Sequence, residues 1–268
     1  MIKQEGIFWR GVRALALRLF HLVENNGNCN VENNGEKKFI QYLFQFLQRH
    51  TDKRRILTLF DIGANVGNYT DLLIAAATKI GITAQFHIFE PTYFCYNIIQ
   101  HKFSNNQNVI INHAAVSDKT GRREIFYDKA QSGLASLHKR DLRAYSIALD
   151  QSELIKTIRL DEYINRQKIT HVGFIKMDIE GHEMLALQGM GPYLHADFVD
   201  FIQFEYGGAN LDSHTSLMEL YGLLESRGFV LAKIMPKGLQ IRSYEPWMDN
   251  FAYANYVAIA KETYQKLA

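Results

Sequence analysis

The chain has 268 residues, 47% of them hydrophobic, enough to bury a full core as one large domain or one domain with an appendage. A net charge of +2 gives no general field to attract nucleic acid. Two cysteines, Cys29 and Cys95, make no disulfide framework and point to a reducing, cytoplasmic setting. No Cys/His cluster has zinc spacing, so no metal is expected, and no apolar run approaches the length of a membrane span.

The first expected element is an amphipathic helix. At about 100° per residue, Lys3, Arg10, Arg13, Arg18 and His21 share one face, and Phe8, Val12, Leu15, Leu19, Leu22 and Val23 share the other. Arg13 and Arg18 interrupt the apolar stretch, which argues against a secretory signal. Two readings stand. The helix packs on the domain or on a second subunit of a homo-oligomer, or it lies on an anionic membrane surface as a peripheral contact at the inner face. Residues Glu24–Glu36, rich in Asn and Gly, read as a polar loop. The chain therefore divides into 1–36, helix and loop, and 37–268, the main domain.

From Lys37 onward the pattern alternates. A helix fits Lys37–His50, with Phe39, Tyr42, Leu43, Phe46 and Leu47 on one side. Strands are expected near Ile56–Asp61, Gln85–Glu90, Val109–Ala115, Val172–Asp178, Phe198–Glu205, Phe229–Ile234 and Tyr253–Ala260. Helices fit Asn68–Lys79, Tyr93–Lys102, Leu160–Arg166, His182–Gln188 and Ser213–Arg227. Such alternation predicts an α/β fold with a parallel sheet and helices on both faces. The last two strands have no helix between them, so one antiparallel strand is expected, seven strands in all. The stretch Gly121–Asp150 breaks the alternation and carries Arg122, Arg123, Lys139, Arg140 and Arg143; it reads as a short hairpin and an irregular loop over the site. Those basic residues either recognise an anionic group on a ligand or form a solvated surface.

The chemistry concentrates at strand ends, where open parallel sheets bind ligands. The run LTLFDIGANVG at Leu57–Gly67 ends a strand in Asp61 and turns through Gly63 and Gly67. Gly63 can take backbone angles closed to other residues and leaves room for a ligand, and Gly67 stands where a helix begins with free N–H groups. The next strand ends in Glu90, placed to accept ribose hydroxyls. The spacing Asp-x-Gly-x-x-x-Gly is not the nicotinamide fingerprint G-x-G-x-x-G, and an acid in the turn suits a cationic ligand better than a pyrophosphate. Asp178 and Glu205 end two further strands. Around Asp178, Lys176 and Glu180 read as buried charges that need partners. His182 reads either as a capping or solvent-facing residue or as a catalytic one.

These segments resemble the FkbM family of S-adenosylmethionine-dependent methyltransferases. The matching pieces are FDIGANVGNYT at Phe60–Thr70, FEPTYFCYNII at Phe89–Ile99, NHAAVSDKTG at Asn112–Gly121, GLASL at Gly133–Leu137, IRLDEYI at Ile158–Ile164, FIKMDIEGHEMLALQGM at Phe174–Met190 and FIQFEYG at Phe201–Gly207. The glycine turn alone is shared by a broad class; IKMDIEGHE is the specific signal. The resemblance implies a Rossmann-like class I methyltransferase fold over 37–268, preceded by N-terminal helices, and S-adenosylmethionine as cofactor. By similarity Asp61, Gly63, Ala64, Asn65, Gly67 and Asn68 would surround the methionine part of the cofactor. Glu90 would hold the ribose, and Pro91, Thr92, Ala115 and Val116 would border the adenine. Asp178 would face the cofactor's amino group or the acceptor hydroxyl. The family often has a small residue where this chain has His182.

The reaction implied is O-methylation of a small-molecule or glycan hydroxyl: on a sugar, a glycolipid or polysaccharide, or a glycosylated natural product. A hydroxyl acceptor needs a base, for which Asp178, His182 and Glu205 are the candidates. Three other classes compete. A nicotinamide oxidoreductase shares the fold but needs the missing glycine spacing. A nucleic-acid methyltransferase would carry Asn/Asp-Pro-Pro-aromatic where this chain reads MDIEGH. A non-catalytic module would bind the nucleoside without turning it over.

Overall fold

The computed structural model describes residues 6–50 and 56–267. Lys3, assigned to the basic face of the first helix, lies outside them. The chain opens with helices α1 (Ile7–Glu24) and α2 (Glu36–His50). There follow β1 (Leu57–Ile62), α3 (Asn68–Ile80), β2 (Ala84–Phe89), α4 (Tyr93–Lys102), β3 (Val109–Asn112), β4 (Ala115–Val116), β5 (Gly121–Tyr127), β6 (Gln151–Ile158), α5 (Leu160–Gln167) and β7 (Val172–Met177). The last third comprises α6 (Glu183–Gln188), β8 (Val199–Tyr206), α7 (Gly208–Asp212), α8 (Leu217–Ser226), β9 (Phe229–Met235), β10 (Gly238–Ile241), β11 (Ala254–Ala260) and α9 (Lys261–Leu267).

The main sheet runs β10-β9-β11-β8-β7-β1-β2-β3. The strands β3, β2, β1, β7 and β8 are mutually parallel; β11 runs antiparallel to both β8 and β9, and β10 antiparallel to β9. This is the mostly parallel α/β sheet that the resemblance implies, with eight strands where the sequence pattern gives seven, and two antiparallel strands rather than one. The extra strand is β10. The tight Pro236–Lys237 turn folds the chain straight back on β9, and a four-residue strand is too short to stand out from its loop. Val109–Ala115 is also not one strand. It breaks after Asn112, and Ala115–Val116 joins a second sheet, β4-β6-β5. The helix expected at Ser213–Arg227 starts at Leu217, where Ser216 and Glu219 form a capping box. The hairpin expected within Gly121–Asp150 is one arm of β5 paired with β6.

Alternation along the strands sends side chains to two cores. Leu57, Leu59, Phe174 and Phe201 pack against α2 and α3 with Phe39, Leu43 and Leu73. Phe60, Ile62, Ile175, Ile202 and Phe204 face the opposite layer with Leu160, Leu187 and Leu220. The first face also carries a polar row. Asp61 pairs in register with Lys176, and Lys176 with Gln203. Gln203 donates to Glu36 (2.6 Å) and to Asn255 (3.2 Å) and accepts from the Tyr69 hydroxyl (2.6 Å). Buried polar groups persist only when partnered in this way.

The helix α1 departs from the expectation that it packs on the domain. Every residue from Ile7 to Leu19 is exposed. Its last turn is fixed: Glu24 accepts from Lys233 (3.1 Å) and Arg242, and Phe20 packs edge-on against Trp247. Burial opposes ionisation of Glu24, yet the hydrogen bonds from Arg242 and Lys233 outweigh it and hold its carboxyl below the usual range. The loop after α1 is not a free linker either. Asn25 donates to the Asn34 carbonyl (2.8 Å), Asn34 to Glu36 (2.6 Å), and Gly35 lies against the Met235 carbonyl.

Candidate functional site

Two hollows meet at the C-terminal ends of the parallel strands. The first is lined by Gly63 and Asn65 after β1, Glu90 and Pro91 after β2, Ala115 and Val116 of β4, and Asp178, Glu180 and His182 after β7. Ser132, Gly133, Ala135 and Leu137 roof it. Its volume is about 130 Å3, below the roughly 300–1,000 Å3 of common small-ligand sites. The Ser132–Leu137 segment forms a strap along this hollow. The second hollow, about 910 Å3, lies beside it between Gly27, Leu142, Glu205, Asp212 and Tyr253. Gly133, Asp178 and Glu180 line both.

The glycine turn owes its shape to close packing. Gly63 has φ +84°, and a Cβ there would collide with the Asp178 carbonyl. Gly67 has φ +76°, and a Cβ there would meet the Phe103 ring and Ile99. Between them Asn65 also takes a left-handed conformation, φ +48°, which Asn tolerates better than most residues. Its backbone N–H donates to Glu90 Oε2 (2.8 Å) and its side-chain amide to the Ser132 carbonyl (3.1 Å). Asn65 thus ties the turn to the second acid and to the strap.

Glu90 is buried, which pushes its carboxyl up to about 7 even though Thr92 and Asn65 donate to it. Oε1 accepts from both the N–H and the hydroxyl of Thr92 (2.9 and 2.5 Å), while Oε2 accepts from Asn65 alone. Oε2 keeps a lone pair for a ligand hydroxyl; Oε1 frees one when the Thr92 hydroxyl rotates away.

Other expected ligand residues stand outside the first hollow. Asp61 sits beneath it, buried, accepting from the Thr70 hydroxyl (2.5 Å), and burial raises its carboxyl to about 6. Ala64 packs with Ile88, Ile99 and Phe103. Gly67 contributes backbone only, Asn68 accepts from Lys102 (3.3 Å), and Thr92 reaches the site through Glu90.

The strand end at Asp178 gathers charge. Lys176, 3% exposed, donates to Asp178 (3.1 Å) and lies over the Tyr69 ring. Burial works against its charge, but Asp178, Glu36, Glu205 and Asp61 keep it protonated. Glu180 is held by Arg140, which also donates to Asp212 (3.2 Å). Glu205 accepts no hydrogen bond from the described residues. Carboxylate oxygens of Asp178, Glu180 and Glu205 all lie within 4.8 Å of one another. Burial raises Glu180 and Glu205, and Asp178 raises both further. Three carboxylates so close retain a proton among them or surround a cation. They can take a proton from a hydroxyl, and they could hold a metal ion.

His182 stands at the N-cap position of α6 without a side-chain cap bond, and it does not face solvent. It is buried, and it shares hydrogen bonds with Ser117 through Nε2 (3.0 Å) and with His138 through Nδ1 (3.1 Å). Burial, with His138 and Arg123 adding to it, lowers its pKa to about 3. It lines the first hollow but not the second. In the basic loop Arg122, Arg123, Lys139 and Arg143 are exposed, with Arg143 beside Asp141, while the Arg140 guanidinium is buried and paired with Glu180 and Asp212.

Residues 61–231, which hold every strand end of this site, match the methyltransferase FkbM domain. The chain belongs to the FkbM methyltransferase family. Two relatives extend the comparison. The chain is 28% identical over 231 residues to 31-O-demethyl-FK506 methyltransferase FkbM of Streptomyces tacrolimicus, covering 74% of this chain and 84% of that protein. It is 25% identical over 162 residues to hexuronic acid methyltransferase AglP of Haloferax volcanii, covering 60% of each. The crystal structure of a methyltransferase FkbM from Methylobacillus flagellatus superposes with a TM-score of 0.47 at 17% identity, over 75% of this chain and 43% of that one.

The sequence did not single out Asp212 or Gln203, and it placed Arg140 only among the basic residues of a loop over the site. Arg140 and Asp212 build the wall of the second hollow, and Gln203 centres the polar row behind Lys176. Gln203 left a trace: a polar residue inside an otherwise apolar strand. The Arg140–Asp212 pair left none, because it joins distant loops.

Proposed function

We propose that the protein is an S-adenosylmethionine-dependent O-methyltransferase acting on a neutral sugar hydroxyl of a glycan, glycolipid or glycosylated natural product. The observation that carries this reading is the shared wall: Asp178 and Glu180 border both hollows, so a donor in one and an acceptor in the other meet at a carboxylate.

The first hollow fits the cofactor on its own chemistry. Gly63 lines the hollow without a side chain, Glu90 has acceptor capacity for ribose hydroxyls, and Asp178 offers negative charge to a cationic ligand. Bound there, S-adenosylmethionine would supply an electrophilic methyl carbon. The protein holds the acceptor oxygen in line and removes its proton. Positioning of this kind is worth several kcal/mol of the barrier. Asp178 and Glu205 would take the proton that the acceptor hydroxyl gives up as its oxygen receives the methyl group. His182 stays neutral and serves the wall of the cofactor hollow.

The second hollow favours a neutral acceptor. Its ionisable lining is mainly acidic (Asp141, Asp178, Glu180, Glu205 and Asp212), and its buried cation, Arg140, is already paired. Carboxylates accept hydrogen bonds from sugar hydroxyls, whereas an acceptor's own carboxylate or phosphate would meet like charge. Tyr145, Phe251 and Tyr253 add flat apolar surface. The two relatives' names point to O-linked and sugar acid acceptors; the second hollow of this chain argues against an unpaired hexuronate.

Calorimetry with S-adenosylhomocysteine and with NAD tests the cofactor, and release of S-adenosylhomocysteine across neutral and acidic sugar acceptors tests the reaction. Binding of the first nucleoside alone and turnover on neutral sugars are expected. Preference for NAD, or turnover confined to acidic sugars, would refute the corresponding half.

A further inference from the structure

We propose that Lys176 is a positioning residue for the transfer step: its ammonium holds one oxygen of Asp178 and leaves the other open to the acceptor hydroxyl. The proposal rests on the methyl-transfer reading. Among the described residues, the Lys176 ammonium makes one hydrogen bond, to Asp178 Oδ2 (3.1 Å), and the Asp178 carboxylate accepts no other. Oδ1 therefore has no donor among them, on a residue that lines both hollows.

The packing makes this grip one-sided. Lys176 is the last residue but one of β7 and Asp178 follows the strand, so the two stand two positions apart on one side of the sheet. The Lys176 side chain is 3% exposed and that of Asp178 42%. Lys176 pairs in register with Asp61 on one side and Gln203 on the other, and its ammonium lies 5.2 Å from the centre of the Tyr69 ring. A side chain walled in by two strands and a ring has little freedom. It fixes the half-exposed carboxylate rather than following it.

Two buried acids near Lys176 have donors of their own. Asp61 accepts from the Thr70 hydroxyl (2.5 Å), and Glu36 accepts from Asn34 and from Gln203 (2.6 Å each). The lysine's bond goes instead to the acid that borders the hollows. Lys176 is not itself the base: burial opposes its charge, but Asp178, Glu36, Glu205 and Asp61 keep it protonated, and an ammonium only donates. Its effect on turnover therefore passes through Asp178. The placement of that carboxylate matters because a misplacement of about 1 Å can cost on the order of 100-fold in rate.

A double-mutant cycle in the full chain tests the proposal, with Lys176→Met, Asp178→Asn and the two combined. Met keeps apolar bulk against the Tyr69 ring and removes the ammonium. Turnover is read as S-adenosylhomocysteine release at saturating neutral sugar acceptor, cofactor affinity by calorimetry with S-adenosylhomocysteine, and folding by thermal melting. Lys176→Met is expected to lower kcat roughly tenfold or more, with cofactor affinity and acceptor KM within about threefold of wild type. The double variant should be no slower than Asp178→Asn alone, because the two residues act as a unit. Losses that multiply, or wild-type kcat in Lys176→Met, overturn the proposal. Should Lys176→Met not fold, Lys176→Gln takes its place in the cycle; if neither folds, Lys176 is a counter-ion of the core and the proposal falls. A wild type that releases no S-adenosylhomocysteine with any acceptor refutes the methyl-transfer reading, and this proposal with it.

Discussion

The carbonyl of Asp178 fills the space in which a side chain on Gly63 would stand. Two strand ends are thereby held in contact, one supplying the turn and the other the acid that borders both hollows. Gly63→Ala should strain a backbone at φ +84° and drive the two ends apart. A loss of about 1–3 kcal/mol in stability is expected, with at least a tenfold loss of S-adenosylhomocysteine affinity. Thermal melting and calorimetry measure the two, and wild-type affinity in the variant would show that the contact does not shape the site.

Glu90 makes cofactor binding pH-dependent. Its carboxyl lies at about 7 in the free protein, and ribose hydroxyls donate to the ionised form. Affinity should rise as pH passes about 7. The free protein should show the opposite trend: because the folded pKa is above the unfolded one, this group's stabilising contribution is present at low pH and declines between 4.5 and about 7. Glu90→Gln should flatten the affinity profile. A profile identical to wild type would remove Glu90 from ligand contact.

Asp178→Asn should lower turnover by roughly 100-fold or more, as expected for loss of a positioned base, with cofactor affinity changed less. Glu205→Gln should also lower turnover, since a carboxylate oxygen of Glu205 lies within 4.8 Å of those of Asp178 and Glu180. His182→Asn should weaken cofactor binding without moving the pH profile of turnover, because a group at about 3 is already neutral at working pH. A lost acidic limb in the His182 variant with an intact one in Asp178→Asn would reverse the assignment.

Asp61 separates support from contact. It lies below the hollow and depends on Thr70. Thr70→Val leaves a buried carboxylate without that donor, at a cost of roughly 1–3 kcal/mol. Urea unfolding should show this loss while S-adenosylhomocysteine affinity falls less than in Glu90→Gln. The reverse order would place Asp61 against the ligand.

The strap over the first hollow is held by Asn65 on the Ser132 carbonyl and by Ser136 on the Glu180 carbonyl (2.7 Å). Amide hydrogen exchange across Gln131–Leu137 should slow when S-adenosylhomocysteine binds beneath it. Unchanged exchange at saturating ligand would mean that the strap does not close on the cofactor.

Much of this was legible in the chain itself. Period-two and helical patterns located β1, β2, β7, β8 and β11, because these strands lie in a sheet buried on both faces and read as apolar runs. Short elements escaped: β10 and α7 span too few residues to show a period. Strand-end chemistry pointed to Gly63, Glu90 and Asp178, and the family resemblance added Asn65, Pro91, Ala115 and Val116; all seven line one cavity.

What the sequence determined alone was therefore the family, the order of the strands and the acids that terminate them, all of which depend on residues close in the chain. Tertiary structure decided the rest. It put Asp61 under the site, buried His182 between Ser117 and His138, paired Arg140 with Asp212, and brought Glu205 to Asp178. Each outcome sets desolvation against a partner from another part of the chain, and that balance exists only once the strand ends have been brought together.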